Sequence, residues 1–130
     1  MIVKLGNLTQ INNVINEYMS KPMKISGAYK LNKIKQISDT ELMFYTDEFN
    51  KIIDLYVKRD EKGNAIFADD DPTKVLIQED KVQECNEKLN ELHNIDVNFD
   101  DCYILTLDEL NTSDVICTPE ELQSLMPFIK

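Results

Sequence analysis

The strongest constraint on this chain is one amphipathic run from Ala28 to Tyr56. Its apolar positions are Ala28, Leu31, Ile34, Leu42, Tyr45, Phe49, Ile52 and Tyr56. Apart from one gap at Ser38 they step by three or four residues, which is helix spacing and close to a coiled-coil seam. No proline interrupts the run. A helix of this length cannot bury its stripe on itself and needs a partner helix, from this chain or another. Ser38-Asp39-Thr40-Glu41 also fits a capping box. The run is therefore either one helix over about residues 27–58 or two that meet at Ser38. Phe49 and Ile52 lie centrally in the stripe and are expected in the core.

The flanking pattern supplies the partners. Residues 8–19 place Leu8, Ile11, Val14, Ile15, Tyr18 and Met19 on one helical face, with Asn7 as N-cap. Pro22 ends this helix, because the residue before a proline avoids the helical region. Gly63 and Asn64 predict a turn after the long run. Val57, Ala65-Ile66-Phe67 and Val75-Leu76-Ile77 then suggest a small β-hairpin or extended arm. A third helix over 79–93 carries Val82, Cys85, Leu89 and Leu92 and is placed to fold back antiparallel on the long one. Ile95 to Phe99 alternates like a half-buried strand, and Tyr103-Ile104-Leu105 can add a second extended piece. Thr118-Pro119-Glu120-Glu121 starts a last helix, with Thr as N-cap, Pro at the first position and Glu closing the box. That helix presents Leu122, Leu125 and Met126 before Phe128 and Ile129 pack down. The expected fold is one α+β domain over residues 1–130, mostly helical. In it a long helix lies antiparallel to a shorter one through a hairpin or loop, with a small β element and a short C-terminal helix.

Charge is unevenly placed along the chain. Residues 1–59 carry a net +3, residues 60–101 a net −9 and residues 102–130 a net −4, for −10 in all. Such asymmetry can steer assembly with a partner, and it argues against direct nucleic-acid binding, which wants a basic face. No stretch approaches the roughly 20 apolar residues of a membrane span. The opening MIVKLGNLTQINN has no basic leader before an apolar run, which points to the cytoplasm at synthesis. Cys85, Cys102 and Cys117 form neither an even set nor a CxxC pair and read as small buried apolar residues.

No catalytic constellation is visible. His93 is the single histidine, near the end of the third helix, where an imidazolium complements the dipole. Asp69-Asp70-Asp71 are consecutive and precede Pro72, so their side chains diverge and make a poor calcium cage. The carboxylates of Glu84 and Glu87, or Asp100 and Asp101, are pairs an acidic chain produces by chance. No phosphate loop, nucleophile elbow or dinucleotide fingerprint occurs. No enzyme, cofactor or metal is expected. The candidate partner-contact residues are Tyr29, which lies off the apolar seam, and the acidic turn residues Asp60, Glu61, Asp69, Asp70 and Asp71.

The run KPMKISGAYKLNKIKQ, the long helix to IIDLYVKRDEKGNAIF, the acidic helix to LNELHNIDVNF and the closing TPEELQSLMPFI resemble a family of small tailed-bacteriophage proteins of uncharacterised function. The resemblance runs from about Met19 onward. Its markers are Ala28-Tyr29-Lys30-Leu31, the turn from Tyr56 to Asn64, and Leu122 to Ile129. The chain departs from that pattern around Ser26-Gly27 and from Asp100 to Cys117. The resemblance implies a phage origin, a helical hairpin with a β element, and no activity. Two functions are then expected. The first is a non-enzymatic protein working by protein–protein contact or self-assembly, as a virion component or assembly factor. The alternative is an acidic nucleic-acid mimic that inhibits a host defence protein, its carboxylates standing in for phosphates.

Overall fold

The computed structural model describes residues 1–100, 103–110 and 117–130. It is mostly helical. β1 (Ile2–Lys4) leads through a 3₁₀ turn into α1 (Leu8–Met19), then α2 (Ile25–Tyr56), α3 (Val82–His93), β2 (Asp96–Asn98), the single-turn α4 (Leu107–Leu110) and α5 (Pro119–Leu125). β1 and β2 pair antiparallel with Val3 opposite Val97. Those two face the core, and their neighbours face water. The expected strand at 95–99 is present. Its partner at the N-terminus is too short to show a period.

α2 is one unbroken helix of 32 residues, about 48 Å long at 1.5 Å per residue. The box at Ser38 is not used, because Ser38 is fully buried on the inward line. It fills the gap in the apolar stripe with a small residue instead of breaking the helix. The first expected position is corrected: Ala28 is exposed and Gly27 is buried in its place. A Cβ at Gly27 would meet Glu109 Cβ at 3.0 Å and Glu109 O at 3.3 Å. The close approach of α4 therefore favours glycine there, because a Cβ would push Glu109 back by a few tenths of an ångström, against the helix's own preference for alanine.

The two halves of α2 have different surroundings. The first half, with Leu31 and Ile34, joins Leu5, Leu8, Ile15, Val97, Phe99, Leu105, Leu125 and Phe128 in one buried cluster. The Phe99 and Phe128 rings meet edge to face at 4.9 Å. In the second half Leu42, Tyr45, Phe49 and Ile52 only pack against the border of that cluster, half-buried. Phe49 is thus peripheral, not central. α3 runs antiparallel to this half: its last residue, His93, meets Tyr45 with Nε2 at 3.1 Å from the hydroxyl. Of the stripe expected on α3, Cys85 and Leu92 are buried and Val82 is exposed. Met126, expected on the last helix's apolar face, is also exposed, while Leu125 and Phe128 are fully buried.

Between α2 and α3 the chain forms the expected hairpin at Gly63 and extends it with a third segment. Three short segments pair in rotation, all antiparallel: Val57 with Ile77, Arg59 with Ala65, and Phe67 with Val75. Three strands of a flat sheet cannot all be mutually antiparallel, so the segments close as a triangle. At its centre the Lys58 amide donates to the Leu76 carbonyl at 2.7 Å, Leu76 to Ile66 at 2.8 Å, and Ile66 back to Lys58 at 2.9 Å. Gly63, with φ +82°, makes the turn between the first two segments. This three-segment knob caps the far end of the α2–α3 pair.

Candidate interaction surface

The knob owes its two outer turns to aspartates. Asp60 Oδ1 accepts the amides of Lys62 at 2.9 Å and Asn64 at 3.0 Å, the side-chain turn that aspartate favours. Asp71 Oδ1 accepts the Thr73 amide at 2.9 Å and its hydroxyl at 2.6 Å. Those bonds from Thr73 hold the Asp71 carboxyl below its ordinary value. Arg59 ties the knob to α2, donating to the Gly63 carbonyl at 2.9 Å and to the Asp54 carboxylate. Two of the aspartates expected to meet a partner are thus turn builders, while Glu61, Asp69 and Asp70 are exposed.

The structure brings Asp60, Glu61, Asp69, Asp70 and Asp71 onto one knob. Tyr29, 59% exposed with Lys33 Nζ 5.7 Å from its ring, lies near the start of α2. The two sites are separated by about 40 Å of helix and are not one surface. Apolar residues absent from the expected set complete the knob and arm: Phe44, Leu55, Phe67 and Leu76 are 47, 72, 48 and 36% exposed. Phe44 and Leu55 stand off the main stripe in the sequence, and that displacement was the available signal. Phe67 and Leu76 are apolar in segments too short for a period to sort their faces.

The chemistry-bearing side chains elsewhere have structural partners. Glu109 is 6% exposed. Its Oε1 accepts from Lys30 Nζ at 2.8 Å, the Thr106 amide at 3.0 Å and the Thr106 hydroxyl at 3.2 Å. Thr106 in return accepts the Glu109 amide at 3.1 Å. This is a reciprocal capping box, legible as Thr-Leu-Asp-Glu and overlooked in the sequence. Burial works to raise the Glu109 carboxyl, but the bonds from Lys30, Ser26 and Thr106 outweigh it and bring it to about 2. The N-cap expected at Thr118 also forms, its hydroxyl accepting the Glu121 amide at 3.2 Å. Burial raises the Cys85 thiol, as expected of a buried cysteine. Cys117 is exposed, which corrects the expectation for it. Cys102 and Asp101 lie outside the described residues.

The grooves are shallow. One, of about 420 Å³, lies where α1 meets α2 and is lined by Asn12, Asp39, Leu42, Met43, Thr46 and Asp47. Among the described residues no three His, Cys, Asp or Glu converge to hold a metal ion, and no helix is long and apolar enough to cross a membrane.

Fold and surface together define a class: a small α+β protein with a packed end, a paired helical arm and a three-segment knob. No protein-family model, curated protein or solved structure matches this chain.

Proposed function

We propose that the protein is a non-enzymatic contact protein that binds through its arm and knob, as a virion component or assembly factor of a tailed phage. One observation carries the contact reading. The arm and knob keep Phe44, Leu55, Phe67 and Leu76 in water on one projecting element, whereas the apolar groups exposed at the packed end, Ile2, Ile25, Leu107 and Met126, surround a well-filled core. Exposed apolar groups along a projecting element and at its tip suit a partner better than they suit solvent. The engagement of Glu109, His93 and Asp71 in structural hydrogen bonds supports a role without catalysis. The phage assignment comes from the sequence resemblance. Mass spectrometry of purified virions tests it: the protein in stoichiometric amounts is the expected result, and its absence from virions removes the virion role.

The mimic reading has one observation in its favour. Glu84, Glu87 and Glu91 are exposed along α3 at steps of three and four, so they form a row on one face. Lys81 at 3.6 Å from Glu84 and Lys88 at 3.8 Å from Glu91 partly offset that row, which is why it ranks second. Competition with DNA for a host defence protein, measured at rising salt, distinguishes it.

A further inference from the structure

α2 carries a second line of residues besides its core stripe. Ile37, Glu41, Phe44, Glu48, Lys51 and Leu55 follow in steps of four, three, four, three and four. That is the alternation of a coiled-coil seam. Its ends are five full turns apart, so they lie on one line of the helix about 27 Å long. At 100° per residue this line stands about 120° round from Phe49. None of the six is buried: Leu55, Phe44 and Lys51 are exposed and the other three are half-exposed, with Ile37 also touching the edge of the buried cluster. Beside Ile37 and Glu41 the surface dips into a groove of about 310 Å³.

The pattern of steps is the same read in either direction. Laid antiparallel on itself about a two-fold axis, it sets Ile37 against Leu55 of the second copy, Glu41 against Lys51, and Phe44 against Glu48. We propose that this face of α2 is a self-association site at which two copies pair antiparallel. Charge complementarity selects the occupant and its direction. Antiparallel pairing makes a Glu41–Lys51 contact twice by symmetry, whereas a parallel pair in register sets Glu41 on Glu41 and Lys51 on Lys51. Lys51 already stands 3.1 Å from Glu48 of its own chain, so in the pair it bridges two carboxylates. The Glu48 carboxylate, held by Lys51, leaves its aliphatic stem to cover the Phe44 ring of the other copy. The groove beside Ile37 receives Leu55.

This inference rests on reading the arm as a contact element and names the partner of one of its faces. Sedimentation equilibrium across the micromolar range is the test, with circular dichroism confirming that each variant is folded. The wild type is expected to dimerise and Leu55→Asp to be monomeric. Glu41→Lys and Lys51→Glu each bring like charges together twice and should raise the dimer Kd roughly fivefold or more. The two combined in one chain restore opposite charges and should return the Kd towards that of the wild type. If Leu55→Asp does not fold, the charge exchange decides alone. A wild type that stays monomeric, single variants without effect, or a double variant weaker than either single overturns the proposal. A monomer that is nevertheless incorporated into virions overturns self-association and leaves the contact reading standing.

Discussion

The two ends of this molecule are held together by different means. At the packed end, Leu5, Leu8, Ile15, Leu31, Ile34, Leu105, Leu125 and Phe128 are at most 1% exposed, and elements distant in sequence converge on them. At the knob, Val57 is buried at 4% exposed, while Ala65, Ile66, Val75 and Ile77 are half-buried. There the shape depends on the ring of amides through Lys58, Ile66 and Leu76 and on the aspartate turns. A hydrophobic core stabilises through area removed from water and cooperates over the whole domain. A small set of hydrogen bonds contributes little net energy and opens locally. The difference teaches that a projecting element can keep a defined shape without enough core to hide its own apolar side chains, and those side chains are then available to a partner.

The sharpest way to break the packed end is Phe128→Ala. The ring is fully buried against Phe99, so its loss should cost roughly 3–5 kcal/mol and move the whole urea transition. Phe49→Ala, on the border between core and arm, should cost about 2–3 kcal/mol, less than a fully buried ring. Equal losses for the two would mean that the arm is as much core as the packed end.

Glu109→Gln tests the tie between α4 and α2. It should cost about 2 kcal/mol at neutral pH, because a buried ion pair loses its charge. The Glu109 carboxyl lies at about 2 when folded, against an ordinary 4.5. A depressed carboxyl binds its proton more weakly in the folded state than in the unfolded one. Its contribution is therefore complete above 4.5 and is lost as the pH falls towards 2. Urea midpoints of wild type and variant should converge on acidification over that range, and a constant gap contradicts the assignment.

Asp71→Ala should have the smallest effect on the whole. It removes the bonds to Thr73 and should speed amide hydrogen exchange at Ala68 and Lys74 while leaving exchange at Leu31 and Ile34 unchanged. Faster exchange at the core as well would merge the two ends into one cooperative unit.

Much of the fold was legible because its elements carry their own signals. The period of α1 and α2, the proline after Met19, the Thr118 N-cap and the alternation around Val97 each express local backbone chemistry. The candidate surface was legible only in part. The sequence marks its acidic turns, but it does not show which amides a carboxylate will reach, so Asp60 and Asp71 carry no local sign that they build those turns. Phe67 and Leu76 were read as apolar without a face.

By itself, then, the sequence determined the helices other than α4, their order, the antiparallel return of α3 and the acidity of the second half, because helix period, caps and charge are properties of neighbouring residues. Only the tertiary structure decided that Ser38 is a buried member of the stripe, that Gly27 is closely approached by α4, that β1 pairs with β2, and that three segments close into a knob. Each of these depends on residues far apart in the chain. Their meeting is settled by packing, which no local pattern contains.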